Sequence, residues 1–233
     1  MTSQALVAQH RQELQKVQFL ANRDLVEIYS GLPRNPAAAL ALLIKQLPEL
    51  TSMYGDIAAT LAADWYERVR EAAGATGHYS ARMSTDFDIG KAIMIAKWGS
   101  GPLFETGELT YERSQSLVSG ASQRLIADQA RDTEILNADT DKKATGRWSR
   151  DARGTGCAFC LMLATRGPVY TSRDRGDFNA HDKCYCVAVP DFDDYEEPSH
   201  VAAFRESYTD ARSEVGGDRK DILSELRTVT GAA

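Results

Sequence analysis

All four cysteines of this 233-residue chain lie within one stretch of thirty residues, and this clustering constrains the fold more than any other feature. Cys157 and Cys160 form a Cys-x-x-Cys pair, and Cys184 and Cys186 form a Cys-x-Cys pair that follows His181 by three residues. Thiolates and an imidazole at such spacings can close a tetrahedron around zinc. The cluster therefore predicts that two separate segments fold back onto one site.

Five side chains are candidates for four zinc positions: Cys157, Cys160, His181, Cys184 and Cys186. A Cys-x-x-Cys turn places both sulfurs near one metal, and in an extended segment Cys184 and Cys186 point to the same face. His181 could replace one of the thiolates. Four ligands without an open position describe a structural zinc site, which suits a unit too small to hold its own core. The sequence leaves open which four of the five bind.

Three other chemistries compete with structural zinc. Two disulfides could form in an oxidising medium, but four clustered cysteines in a reducing cytoplasm favour a metal. For thioredoxin-like exchange, the thiols downstream of Cys160 would interfere. Catalytic zinc of the deaminase type needs His-x-Glu before Pro-Cys-x-x-Cys, whereas here the Cys-x-x-Cys comes first and Asp182 follows His181.

Composition and charge describe an ordinary globular protein. The longest apolar run, residues 36–44, is too short to span a bilayer, and no secretory signal opens the chain, so we expect a protein made in the cytoplasm and without a membrane partner. The net charge of −6 argues against a dedicated nucleic-acid binder. Residues 142–183 nevertheless carry nine basic and four acidic side chains. This basic region is either a solvated surface or a contact for an acidic partner or a phosphate backbone.

The fold class predicted from periodicity is mainly α, with three parts: an all-helical region over 1–140, a small α+β zinc-binding module over 141–195, and a helical extension over 196–233. In the first part, Asn35 and Pro36 open a helix that Pro48 stops or kinks. Apolar residues predict buried stripes: Ile57, Leu61, Trp65 and Val69; Ile89, Ile93 and Trp98; and Leu117, Val118, Ala121, Leu125 and, less regularly, Ile135 on a long helix that Thr110 can cap.

The Cys/His module, residues 141–195, changes character because helical periodicity stops there. Short β-prone pieces predict strands near 147–150, 168–171 and 186–190, and residues 160–164 suit one or two helical turns closed by Gly167. In the C-terminal part, Asp218 and Asp221 begin a last helix. Outside the module, His10, His78 and His200 lie among polar residues, so we expect them at the surface.

The module also resembles a known phage family. Gly156-Cys157-Ala158-Phe159-Cys160, a short hydrophobic helix, and then His181-x-x-Cys184-x-Cys186 ending at Val189-Pro190 are similar to the C-terminal part of the Mu F-like (MuF-like) minor capsid proteins of tailed bacteriophages. Arg147-Trp148-x-Arg150 fits the strand that enters that module. The helical N-terminal region resembles versions from phages of actinobacteria.

The resemblance implies a function that spacing alone does not. MuF-like proteins are minor head components near the portal and are linked to head assembly or genome delivery. The resemblance therefore implies that the protein is located in the virion and is assembled into it in the host bacterial cytoplasm. It also implies contact with portal protein, major capsid protein or packaged DNA. It implies that the five Cys/His residues form the metal or structural core, and it implies no catalytic residue, so we expect no enzyme. The alternatives are a capsid maturation protease or other zinc hydrolase, for which no His-Glu-x-x-His is present, and a zinc-binding adaptor.

Overall fold

The computed structural model describes residues 3–106, 110–153, 156–171, 178 and 180–231. Over these residues the protein is mainly α, as the sequence predicts, with two short strands. The elements in chain order are α1 (Ser3–Ser30), α2 (Pro36–Ala72), α3 (Ile89–Gly99), a 3-10 turn (Gly101–Phe104), α4 (Thr110–Thr140), β1 (Trp148–Asp151), α5 (Ala158–Ala164), β2 (Val187–Pro190), α6 (Ser199–Val215) and α7 (Arg219–Thr230).

Helices α1 to α4 share one apolar core, in which α2 packs against the other three. Helix α2 begins where the sequence predicts, because the Asn35 side chain accepts a hydrogen bond from the Ala38 amide and Pro36 occupies the first turn. Of the two predicted effects of Pro48, a stop or a kink, the stop does not occur, since α2 continues to Ala72. Leu47 and Leu50 on either side of Pro48 are buried, so tertiary packing overrides the local cost of one missing amide donor.

The predicted apolar stripes are buried only in part. In α2, Trp65 and Val69 are buried but Ile57 is 42% exposed. A strict i+4 stripe turns by about 40° at each step around a helix of 3.6 residues per turn, so its far end leaves the core. In α3, Ile89 and Trp98 are more than half exposed, because this helix packs against α2 and α4 with one face only.

The two strands form an antiparallel pair in which Trp148 faces Pro190 and Asp151 faces Val187. The described residues 168–171 do not form the predicted strand. Instead, Tyr170 makes a single antiparallel bridge to Trp148. Helix α5 follows Cys157 as N-cap and is closed by Gly167, whose φ of +67° lies in the left-handed region that favours glycine.

The strand pair and α5 lie between the two helical parts. Strand β2 packs against α4 and α1, while α5 packs against α6 and α7. Apolar residues of α5, α6 and α7 share a second cluster with Cys160, Cys184 and Cys186. The domain limits at residues 140 and 195 stay a prediction. Within the described ranges, no helix is both long and apolar enough to cross a membrane.

Candidate metal centre

Three local structures present the five candidate side chains. Cys157 is the N-cap of α5, so its sulfur accepts a hydrogen bond from the Cys160 amide at 3.4 Å, and Cys160 lies in the first turn of the helix. A turn then carries His181 and Cys184, in which Lys183 takes a φ of +63° and the Cys184 amide bonds the His181 carbonyl. Cys186 immediately precedes β2. The N-terminus of a short helix and a tight turn before a strand therefore face each other.

The structure brings all five predicted residues together as two overlapping triads. One triad is Cys157, Cys160 and His181, and the other is Cys160, Cys184 and Cys186; in each, the ligand atoms lie within 4.8 Å of one another. Cys160 belongs to both. None of the four cysteines forms a disulfide.

Two of the distances match the edges of a tetrahedron around one ion, although no four of the five ligand atoms all lie within 4.8 Å of one another. With Zn–S bonds of about 2.3 Å and Zn–N bonds of about 2.0 Å, a tetrahedron has S–S edges of roughly 3.8 Å and S–N edges of roughly 3.5 Å. The Cys160 Sγ lies 3.7 Å from the Cys184 Sγ and 3.8 Å from the His181 Nε2. The His181 Nε2 lies 3.0 Å from the Cys157 Sγ. The donor set of thiols and one imidazole fits zinc or another soft divalent metal, and the cluster could hold such an ion.

Protons are shared unevenly among the sulfurs. A hydrogen bond from the Cys160 thiol lowers the pKa of Cys157 to about 5, and the same group also holds the pKa of Cys184 below its usual range. The pKa of Cys160 is raised, because its proton is held by Cys157 and Cys184. For Cys186, a hydrogen bond with Cys160 lowers the pKa, but the bond with Cys184 and burial outweigh it and raise the pKa to about 12. Thiolates at Cys157 and Cys184 can therefore receive a metal, which displaces the protons of the other two.

The ring of His181 is oriented by its neighbour. Its Nδ1 lies 2.7 Å from the Asp182 carbonyl oxygen, and since a carbonyl only accepts, Nδ1 carries the hydrogen. In the neutral ring the lone pair is then on Nε2, which faces Cys157 and Cys160. A backbone carbonyl that fixes the tautomer in this way is common behind metal-binding histidines. His181 is the exposed member of the cluster, whereas Cys160, Cys184 and Cys186 are buried.

Two buried arginines and an aromatic ring stand behind the sulfurs. Arg131 of α4 donates from Nε to the Cys186 carbonyl at 3.0 Å and from Nη2 to the Cys184 carbonyl at 2.9 Å. Arg150 of β1 donates from Nη1 to the Cys160 Sγ at 3.7 Å. Both guanidinium groups lie over the Phe178 ring, that of Arg131 at 4.8 Å and that of Arg150 at 3.7 Å from the ring centroid. This arginine–phenylalanine stack gives the centre two positive charges.

A buried carboxylate one helical turn further along α4 also joins this helix to β2. Glu134 accepts the Ala188 amide of β2 at 2.6 Å with one oxygen and lies 2.8 Å from the His10 Nε2 with the other. His10 is fully buried and stacks on Trp65, with ring centroids 4.5 Å apart. The expectation of an exposed His10 is therefore wrong, because polar neighbours in sequence lie on other faces of α1.

The other two histidines differ from each other. His78 is exposed, as expected. His200 is half-buried and lies 2.6 Å from the Ala152 carbonyl, so its expected exposure holds only in part.

Sequence reasoning missed Arg131, Glu134, Arg150 and Phe178. One signal was present: the apolar stripe of α4 runs from Val118 to Leu125 and resumes at Ile135, and the charged Arg131 and Glu134 fall in the interruption. Charges on a buried helical face need partners elsewhere in the fold. Their partners are backbone groups of a distant strand, which side-chain patterns do not reveal.

Together, the helical region and the Cys/His cluster define a mainly α-helical protein with a candidate metal centre formed at the contact of a helix and a strand pair. The sequence profile of the VG15 protein family matches residues 1–211, which include all four helices of the N-terminal region and the whole module. The chain therefore belongs to the VG15 protein family, a phage-associated family, and is a phage-encoded protein. Among curated proteins and solved structures, nothing matches the chain.

Proposed function

We propose that this protein is a MuF-like minor capsid protein whose Cys/His module is held together by one structural zinc ion. The observation that carries the proposal is the five-residue cluster, set in a chain whose phage family extends over residues 1–211. The zinc joins α5 to the segment before β2, and the module surface contacts portal protein, major capsid protein or packaged DNA inside the virion.

The small size of the module supports a structural role for a metal. Its two strands have four residues each, and a two-stranded sheet of this length is marginal by itself in water. The 23 residues between Cys160 and Cys184 contain no helix or strand beyond α5 in their described part. A tetrahedral ion at this point closes that loop and fixes both ends, which is the role of metals in small α+β units.

The contact with nucleic acid or an acidic protein rests on the basic region 142–183. In its described part, five basic residues are exposed, whereas Arg150 is buried and Arg147 pairs with Asp191. The exposed ones are Lys142, Lys143, Arg153, Arg166 and Lys183. Such charges attract phosphate groups or acidic side chains in a salt-dependent way.

We propose a structural rather than an enzymatic role. Cys160, Cys184 and Cys186 are at most 6% exposed and close the metal position on their side, while Cys157 and His181 form its more accessible side. Four protein ligands would leave no position for a substrate, which supports a structural role. Two rival functions predict different results. A capsid maturation protease or other zinc hydrolase predicts a cleaved product, and a zinc-binding adaptor predicts a location other than the virion.

A phage carrying a disrupted copy of this gene tests the function. We expect purified wild-type virions to contain the protein, and we expect the disrupted phage to give fewer infectious particles, with rescue by wild-type protein but not by Cys160→Ser. Incubation of the protein with the major capsid protein of the same phage should leave that protein intact. Absence of the protein from virions contradicts the capsid role, and defined cleavage that a point substitution abolishes establishes the protease instead.

A further inference from the structure

The segment from Cys184 to Ala188 has backbone groups on its outer edge that no strand of the described residues satisfies. Strand β1 pairs with β2 on one side, from Val187 to Pro190. On the other side, the carbonyls of Cys184 and Cys186 and the amide of Ala188 meet α4. A buried edge needs partners for each of these groups, because an unpaired buried amide or carbonyl loses its hydrogen bonds to water without gaining others.

Two side chains of α4 supply these partners. Arg131 donates to both carbonyls, and Glu134, three residues on and thus on the same helical face, accepts the amide. The three satisfied groups belong to alternate residues, so one helix face takes the place of a neighbouring strand. Arg131 is 1% exposed, and its remaining Nη1 bonds Asp128 at 2.7 Å.

The two carbonyls that Arg131 binds are those of two candidate ligands. Holding Cys184 and Cys186 by their backbone fixes the direction of both Cα–Cβ bonds, and so the position of both sulfurs, before a metal arrives. Metal sites gain affinity when such outer contacts orient the ligands in advance.

The charge of Arg131 acts in the same direction. A zinc ion with three or four thiolates carries a net negative charge, and a buried negative charge needs a compensating positive one. The Arg131 guanidinium binds the carbonyls of Cys184 and Cys186, and the Arg150 Nη1 lies 3.7 Å from the Cys160 sulfur. Both guanidinium groups lie over the Phe178 ring. The arginine–phenylalanine stack thus places both counter-charges beside the sulfurs and away from water.

We propose that Arg131 is a positioning residue of the metal centre, which preorganises Cys184 and Cys186 and supplies counter-charge, so that helix α4 is part of the metal-binding unit. This inference rests on the metal centre of the proposed function. From the spacing of the cysteines, metal affinity would depend on the module alone. With Arg131 as a positioning residue, the helical region also contributes to that affinity.

The test compares zinc affinity in the full chain, measured by competition with a chromophoric chelator, for wild type, Arg131→Gln, Arg131→Lys and the control Arg113→Gln. Arg113 lies on the same helix, is exposed and pairs with Glu105, so its loss removes a surface charge without touching the centre. We expect Arg131→Gln to weaken zinc binding by about 10- to 100-fold, the range for outer contacts of metal ligands. Arg131→Lys, which keeps the charge but cannot bond both carbonyls, should weaken it less, and Arg113→Gln should bind as wild type does.

A spectroscopic signature separates positioning from a general loss of stability. With Co²⁺ in place of zinc, the visible absorption of Arg131→Lys should shift from that of wild type, because the sulfurs surround the ion in a changed geometry, while far-UV circular dichroism shows the same helix content. If Arg131→Gln does not fold, the Arg131→Lys variant decides. Wild-type affinity and an unshifted cobalt spectrum in Arg131→Lys would overturn the inference alone. A wild-type chain that binds neither zinc nor cobalt overturns the metal centre itself, and the inference with it.

Discussion

The helical region and the Cys/His module differ in where their backbone hydrogen-bonding groups find partners. In α1 to α4 each helix satisfies most of its own backbone hydrogen bonds, so apolar burial around Leu43, Leu47 and Trp65 can hold the helices together. In the module, two strands of four residues leave backbone groups that must find partners elsewhere. Those partners are Arg131 and Glu134. The rest of the module is held together, in this proposal, by metal binding at the cysteines.

The module therefore depends on the helices more than the helices depend on the module. Arg11 of α1 also pairs with Asp151 of β1, so both α1 and α4 contribute charged side chains to the strand pair. Removing the metal should therefore disturb the two regions unequally, and removing the charged contacts should disturb both.

The largest expected effect comes from Cys160→Ser, because Cys160 belongs to both triads. Structural zinc in small domains contributes about 10–16 kcal/mol of binding free energy, far more than a module of this size can replace. We expect hydrogen exchange to show lost protection over residues 141–195 and retained protection in α2. Leu163→Ser, which removes a half-buried side chain of α5 but no ligand, is the control. Uniform protection in Cys160→Ser would show that the two regions do not differ in this way.

The next effect is that of Glu134→Ala on the whole chain. It leaves the Ala188 amide and His10 without their partner in a buried site, and loss of one member of a buried pair costs about 3–5 kcal/mol. Urea unfolding should show this decrease in the free energy of unfolding. The exposed Glu112→Ala on the same helix should change it by less than about 0.5 kcal/mol. If the two variants have equal free energies of unfolding, Glu134 does not stabilise the contact between the regions.

A smaller effect, confined to the helical region, is expected for Gly99→Ala. A Cβ at this position would lie 2.4 Å from Cγ2 of the buried Val118, so α3 and α4 must separate, at a cost of about 1–3 kcal/mol. Gly101→Ala is the matched control, since nothing lies within 4 Å of its Cβ. Thermal unfolding of both variants measures the difference, while zinc content should stay that of wild type. A loss of zinc in Gly99→Ala would mean that packing of α3 also supports the centre.

The smallest effect is that of His78→Ala, which replaces an exposed side chain between α2 and α3. Surface substitutions of this kind change the free energy of unfolding by about 0.5 kcal/mol or less. Urea unfolding and zinc content should both match wild type. A clear loss of either would place His78 in a contact that the described structure does not contain.

Much of the secondary structure follows from local signals. Asn35 with Pro36 and the N-cap Asp218 mark helix starts where the structure has them, and the strands near 147–150 and 186–190 appear within a residue or so. The five candidate ligands could be named because their chemistry and order are visible in the sequence.

What could not be predicted depends on distant contacts. Whether Pro48 ends a helix is decided by the tertiary core in which Leu47 and Leu50 are buried. Whether His10 is exposed is decided by Trp65 and Glu134, which are distant from it in the sequence. Likewise, nothing in the sequence indicates that the partners of Arg131 are the carbonyls of Cys184 and Cys186, one on each side of Tyr185.

The most direct test of the account is the metal content of the full chain, purified under reducing conditions without added metal. Native mass spectrometry should find one zinc ion per chain, and removal of that ion by a chelator should expose the module to hydrogen exchange before α2. A chain that carries no metal, takes up none when zinc is added, and has four freely titrating thiols in a folded module would contradict the account.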